Sequence, residues 1–322
     1  MRGRKWATAQ RQAAPAGTSP LHLKVEQAAA EFFGTEAAAY LPSGYLSNLA
    51  GLRSLLEDSE FDVIFIDEHS HYCAFDAAKA MGVPIHVVAH MAPGDLETKL
   101  RNHLQPGQRP LMMSDGLFST FGRIAPVPAI VEALAPYNGL LWLGDAHPKG
   151  ILGPNGRGTY DHYGLSGPHL LSGGTLAKAF GGFGGVISGS AKLIDRVLTG
   201  QVITGASAVP PPLAAATLAG IDLVKNNPKW RERLWANARL LKQGINGLGF
   251  DVVDNDIPIA AFTLDNSESM AHVQHKLLEN GIAIQHTHYP GVDAEGVLRM
   301  VVFSTHTEDQ IQRLVIELGR QL

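Results

Sequence analysis

Short apolar runs at 61–66, 85–89, 110–114 and 140–143 are separated by stretches of helical spacing such as 96–104 and 128–137. Runs of this length without polar alternation read as strands buried on both faces, which requires connecting helices to cover both sides of the sheet. Strands alternating with helices therefore predict an α/β fold with a mostly parallel sheet. Further strands are expected at 170–172 and 186–188. Val25, Ala28, Ala29, Phe32 and Phe33 share one helical face, and Gly34 stops that helix. Ligands of such sheets gather beyond the carboxyl ends of the strands. The polar residues expected there are Asp67 and His71, Asp115 and Ser119, Asp145 and His147, and Thr175 and Lys178.

After Pro210-Pro211-Pro212 the character shifts. Helices are expected at 213–225 and 229–248, and strands at 259–264, 282–285 and 298–303. Ser267 is expected to cap a helix carrying Met270, Val273, Leu277 and Leu278 that stops at Gly281. Thr307 with Gln310 forms a capping-box pattern before Ile311, Leu314, Val315 and Leu318. We read a large domain over 1–225 and a smaller C-terminal α+β domain over 226–322, a division that a chain of 322 residues accommodates.

A net charge of -4 lacks the basic excess of a nucleic-acid binder, so small or neutral partners are expected. The lone Cys73 excludes an intrachain disulfide and a cysteine-based metal site, and points to a reducing, cytoplasmic setting. No apolar run reaches membrane-spanning length, so no membrane association is expected. The basic start with Arg2, Arg4, Lys5 and Arg11 reads as a loose lead-in. His86 with His90 and His286 with His288 read as structural histidines: the first pair sits mainly in a strand, where four-residue spacing gives no tight chelate, and no metal site is expected.

One lysine stands among glycines and small residues, in the stretch Leu171-Ser172-Gly173-Gly174-Thr175-Leu176-Ala177-Lys178-Ala179-Phe180-Gly181-Gly182-Phe183-Gly184-Gly185. Close packing lowers the pKa of an amine and makes it a nucleophile, which is the requirement for Schiff-base chemistry. The same stretch contains a Thr-x-x-Lys pattern akin to serine acyl-enzymes and a glycine run akin to a dinucleotide loop. Neither has support elsewhere: no further acyl-enzyme motif accompanies Thr175, and the glycines follow Lys178 rather than opening a βαβ unit. Pro42-Ser43-Gly44-Tyr45 opens a helical segment at 46–56, and its backbone N–H groups suit a phosphate.

From about Gly17 onward these features occur as an ordered set of motifs. They are Ser43-Gly44-Tyr45-Leu46-Ser47-Asn48, Asp67-Glu68-His69-Ser70-His71, Asp115-Gly116-Leu117-Phe118-Ser119, Asp145-Ala146-His147, Gly153-Pro154-Asn155-Gly156-Arg157-Gly158, Thr175-Leu176-Ala177-Lys178 and Ser304-Thr305-His306-Thr307. In this the sequence resembles the α-oxoamine synthases, pyridoxal 5'-phosphate (PLP) enzymes of aminotransferase fold type I that include 8-amino-7-oxononanoate synthase, glycine C-acetyltransferase, 5-aminolevulinate synthase and serine palmitoyltransferase.

The resemblance implies a PLP-dependent acyltransferase that condenses an amino acid with an acyl-CoA. It implies that Lys178 holds the cofactor as a Schiff base and, once displaced, removes the substrate's α-proton. His71 would stack on the pyridine ring, and Ser119 and His147 would lie near the ring's phenolic oxygen. Asp145 belongs to the same cofactor-binding set. Ser43, the backbone of Gly44 and Tyr45, and the Thr175 hydroxyl would bind the phosphate. Arg299 would grip the substrate carboxylate. Ser207, or failing it Thr204, would reach the phosphate of a partner subunit, implying a homodimer with shared active sites.

The chain departs from the family at some of these positions. The family's aspartate for the pyridine nitrogen stands three residues before the histidine matched by His147, where this chain has Gly144. Asp145 is adjacent, but successive strand residues face opposite ways. Losing a buried charge partner costs roughly 3–5 kcal/mol, or about two to four orders of magnitude in rate if felt in the transition state. The expectation is a protein that binds PLP but stabilises a carbanion poorly unless another group protonates the ring. Pro148-Lys149 and Phe121 are further departures close to the expected site, and the family's N-terminal arm has no counterpart before Gly17. Two other readings follow: a PLP-dependent aminotransferase, and a catalytically impaired PLP-binding homologue.

Overall fold

A computed structural model describes residues 18–322. The basic lead-in with Arg2, Arg4, Lys5 and Arg11 lies outside the described residues. The large sheet contains β1 (Ala37–Leu41), β2 (Val63–Asp67), β3 (Ile85–Val88), β4 (Pro110–Asp115), β7 (Leu140–Gly144), β8 (Leu170–Thr175) and β9 (Gly185–Gly189). β5 (Leu117–Phe118) and β6 (Arg123–Ile124) form a small ribbon beside it. The order across the large sheet is β1-β9-β8-β7-β4-β2-β3. Every neighbouring pair is parallel except β1 with β9 and β8 with β9, so β9 alone runs against the rest.

Alternation along the central strands divides the core. Ile64, Ile66, Leu111, Met113 and Trp142 pack on one side with the helix Tyr45–Glu57 and the helix Tyr72–Ala80. Val63, Phe65, Met112, Leu141 and Leu143 pack on the other with the helix Pro93–His103 and the helix Val127–Leu134. The two-residue period delivers both layers from single apolar runs. Complete burial of Trp142 is possible because its indole N–H donates to Asn48 Oδ1 at 2.8 Å.

The chain runs from β2 outward to β3, then crosses back to place β4 on the other side of β2. The connections diverge there, opening a crevice at the carboxyl ends of β2 and β4. A second core gathers Ala238, Leu241, Ile245, Phe262, Met270, Val273, Leu277, Leu298, Met300, Ile311 and Leu318 around an antiparallel sheet. That sheet has the order β10 (Ile259–Phe262), β12 (Val297–Val301), β11 (Gln285–Thr287).

Several boundaries differ from the expected ones. β1 and the helices Tyr72–Ala80 and Ala191–Thr199 were not expected: the first two are alanine-rich and carry weak periodicity, whereas Ala191–Thr199 is only nine residues long although Leu193, Ile194 and Val197 share one buried face. The strand expected at 282–285 begins only at Gln285. The cap of the helix Ser267–Glu279 is Asn266, whose Oδ1 accepts from the Ser269 N–H, rather than Ser267. The Thr307–Gln310 capping box forms. His86 stacks on His103, and His286 and His288 engage the carbonyls of Glu295 and Ala294. Among the described residues no helix is long and apolar enough to cross a membrane, and no cluster of His, Cys, Asp and Glu could hold a metal ion.

Candidate active site

The connection between the antiparallel strands β8 and β9 carries Lys178. It is a cross-braced hairpin: Leu176 N–H donates to Gly184 C=O at 3.0 Å, Gly182 N–H to Leu176 C=O at 3.0 Å, and Gly181 N–H to Lys178 C=O at 3.0 Å. Gly181 and Gly184 hold φ of 59° and 86°, which the turn requires. His147 follows β7, the next strand, and its Nε2 stands 2.9 Å from Lys178 Nζ. His147, Lys178 and Arg299 line one cavity of 440 Å³, whose remaining wall includes Trp230, Val301 and Phe303.

His71 begins the helix Tyr72–Ala80 and caps it, Nδ1 accepting from the Cys73 N–H at 3.2 Å, which leaves the ring proton on Nε2. The Cys73 sulfur lies 3.0 Å from the same nitrogen and accepts from Asn48 Nδ2 at 3.2 Å. Tyr45 meets the His71 ring edge-on with centroids 6.3 Å apart, and Tyr289 approaches from the small lobe at 5.8 Å. Asp67 fixes the loop below: its oxygens accept from the N–H groups of His69 and Met91, both at 2.9 Å, and face His90 Nδ1 at 3.0 Å. Arg299, on β12, donates from Nε to the Ser119 carbonyl at 2.7 Å and from a terminal nitrogen to Gln285 Oε1 at 2.9 Å. The small lobe is thereby tied to the loop after β5.

These contacts set the protonation states. Desolvation, followed by the neighbouring Lys178, Arg299 and His71, pushes His147 down to about 3, so its imidazole is neutral at physiological pH. Desolvation also lowers Lys178; Arg299 adds to the shift and Asp115 opposes it. His71 is lowered by desolvation and by Lys178. The outcome is an amine with raised nucleophilicity beside a neutral acceptor.

Asp145 does not join this group. Its Oδ2 accepts from the Thr159 N–H at 3.0 Å and its Oδ1 from the Thr159 hydroxyl at 2.6 Å, so the carboxylate expected among the cofactor ligands is a structural clamp on the other face of the sheet. Thr175 is also engaged: its hydroxyl donates to the Gly184 carbonyl at 2.8 Å and accepts from the Ala177 N–H at 3.1 Å. Lys149, expected close to the site, is buried behind it, with Nζ on Ser172 Oγ at 3.1 Å and 4.2 Å from the centre of the Phe33 ring. Ser43 accepts from the Tyr45 N–H at 3.1 Å. Ser207 is exposed and borders a separate hollow with His22, Tyr40 and Pro42. Sequence reasoning gave Cys73, Asn48 and Tyr289 no part in the site; Asn48 and Tyr289 reach the surroundings of His71 through contacts distant in the chain.

An amine paired with a neutral imidazole at the carboxyl ends of a doubly wound sheet is suited to Schiff-base chemistry and fits the PLP fold type I class that the sequence motifs resemble. The comparisons agree. Residues 2–318 match the family model for aminotransferase class I and II. The chain is 32% identical over 311 residues to 8-amino-7-oxononanoate synthase of Symbiobacterium thermophilum, covering 95% of this chain and 79% of that protein. It is 34% identical over 298 residues to the enzyme of the same name from Thermosipho melanesiensis, covering 92% and 75%. A solved serine palmitoyltransferase from S. paucimobilis with a bound PLP–myriocin aldimine superposes with a TM-score of 0.88 at 28% identity, covering 95% of this chain and 77% of that one. The chain belongs to the class I and II aminotransferase family and, within it, to the α-oxoamine synthases, the PLP-dependent acyltransferases.

Proposed function

We propose that this protein condenses an amino acid with an acyl-CoA thioester at the cavity bounded by Lys178, His147 and Arg299, releasing free CoA. The observation that carries the reading is the 2.9 Å pairing of the Lys178 amine with the His147 imidazole on the connections after β8 and β7.

The donor set fits PLP. An ideal Cβ at Gly44 would stand 2.7 Å from Thr175 Cβ, so only glycine lets the Ser43-Gly44 turn lie against the end of β8. Gly44 also opens the 13-residue helix Tyr45–Glu57, whose N-terminal backbone groups and dipole suit a phosphate. The phosphate would be held by Ser43, the backbone of Gly44 and Tyr45 and the Thr175 hydroxyl, which here make local contacts with one another and with Gly184, and Ser207 of a second subunit would complete the site in a homodimer. When bound, the cofactor supplies an electron sink that stabilises a carbanion at the substrate α-carbon.

The chain's own residues do the rest. Lys178 Nζ, with its lowered pKa, spends a larger fraction of time unprotonated, so it acts as nucleophile and, when free, as the base that takes the α-proton. His147 Nε2 accepts from that amine and orients it. His71 restricts the plane above the site. The terminal nitrogens of Arg299 grip the amino-acid carboxylate, and Trp230, Val301 and Phe303 give the acyl chain an apolar wall.

The test is the visible absorption of the protein with added PLP, for wild type and Lys178→Ala, followed by thiol detection. A band that depends on Lys178, with free CoA released only when amino acid and thioester are both present, is expected. Formation of a keto acid without thioester would replace this reading by an aminotransferase.

A further inference from the structure

We infer that Asp115 is the carboxylate that faces the pyridine nitrogen in this protein, taking from the neighbouring strand the place left open by Gly144. The inference rests on the PLP reading above.

Asp115 ends β4 and Gly144 ends β7, and the two are direct register partners. Partners in register point to the same face of a sheet. An ideal Cβ at Gly144 would stand 2.8 Å from Asp115 Oδ1, so the Asp115 carboxylate lies against the glycine and fills space that a side chain there would need. One residue further along each strand the relation recurs on the opposite face: a Cβ at Gly116 would stand 2.1 Å from Asp145 Oδ1. The sheet thus presents two acid–glycine pairs facing opposite ways. The Asp145 pair is closed by Thr159. The Asp115 pair faces the side of Lys178 and His71.

Asp115 has the environment of an acid awaiting a cationic partner. Among the described residues no side chain donates a hydrogen bond to its carboxylate. Its compensators are the His71 backbone N–H and the Lys178 charge, against the like charges of Asp67 and Asp145. Desolvation dominates, and the carboxyl is pushed up to about 7. A protonated ring nitrogen would supply the missing partner and return the carboxyl to its ionised form. An aspartate at 144 would require the Asp115 carboxylate to move from the place it holds here, because its Cβ would stand 2.8 Å from Asp115 Oδ1.

The experiment uses the full chain reconstituted with PLP carrying 15N in the ring, read by the ring-nitrogen chemical shift and by PLP affinity. Wild type is expected to hold the nitrogen protonated at pH 8. Asp115→Asn is expected to lose that protonation and to weaken PLP binding by about ten- to a hundredfold. The double variant Asp115→Ala with Gly144→Asp is expected to regain the protonated nitrogen, whereas Gly144→Asp alone places two carboxylates together and weakens PLP binding. A nitrogen that stays protonated in Asp115→Asn, or that is unprotonated in wild type, overturns the assignment while the Lys178-dependent band remains. Absence of that band in wild type overturns the PLP reading itself.

Discussion

The Lys178 amine stands 2.9 Å from His147 Nε2, and the two residues sit on connections that leave adjacent parallel strands. Parallel pairing brings both strand ends to one edge, so residues 31 positions apart meet without a long loop. The imidazole is held neutral by the same desolvation that lowers the amine.

Lys178→Ala is expected to abolish the visible PLP band and acyl transfer while changing stability by less than about 1 kcal/mol, because removing a desolvated amine relieves the cost that lowers its pKa. Absorption spectra and urea unfolding of the same preparation check both.

The acid stability of the cofactor-free protein is expected to carry two opposing contributions. His147 titrates near 3 when folded against 6.5 otherwise, so the unfolded chain binds the extra proton in that window and stability falls as pH falls through it. Asp115 titrates near 7 when folded against 3.8, so the folded chain binds the extra proton and stability rises as pH falls from 7 to 3.8. Each slope is at most about 1.4 kcal/mol per pH unit. Asp115→Asn is expected to steepen acid destabilisation between 6.5 and 3.8, and His147→Asn to remove it. Urea midpoints across this range provide the measurement.

Gly51 has no room for a methyl group: an ideal Cβ would stand 1.8 Å from the Trp142 ring. Gly51→Ala is expected to destabilise by about 1–3 kcal/mol despite the better helix propensity of alanine. Adding Trp142→Phe should recover part of the loss, giving a non-additive cycle in urea titrations.

Arg299→Lys keeps the charge but loses the fork that holds the Ser119 carbonyl. KM for the amino acid is expected to rise by about ten- to a hundredfold, with a smaller change in kcat, in steady-state assays.

Thr307→Ala removes the hydroxyl that accepts from the Gln310 N–H in the last capping box. A loss of about 1 kcal/mol is expected in thermal or urea unfolding, with catalysis unchanged.

The central strands were legible because a strand buried on both faces must be apolar throughout, as Val63–Asp67 and Pro110–Asp115 are up to their polar ends. Lys178 and His147 could be placed at neighbouring strand ends from the sequence, because polar residues that follow buried parallel strands stand out; their 2.9 Å contact with each other was not foreseen. Alternation along β7 foretold that Gly144 and Asp145 face apart, and the Thr159 clamp on Asp145 bears this out. The partnership of Asp115 with Gly144 was not legible, because register between strands 29 positions apart follows from the packing of the whole sheet. Burial of Lys149 was hidden for the same reason: its anchor on Ser172 is a neighbouring-strand contact.

The braced hairpin between β8 and β9 has a further consequence. The peptide groups around Lys178 are hydrogen-bonded across the hairpin to Leu176 and Gly184, so the backbone at this position is braced. All movement of the amine is swivelling of its own four-carbon tether, within a sphere of roughly 6 Å. An amine confined to so small a volume has a high local concentration towards any group held within its reach. The brace thus makes the lysine a fixed post, from which the amine reaches the cavity by rotation of its side chain.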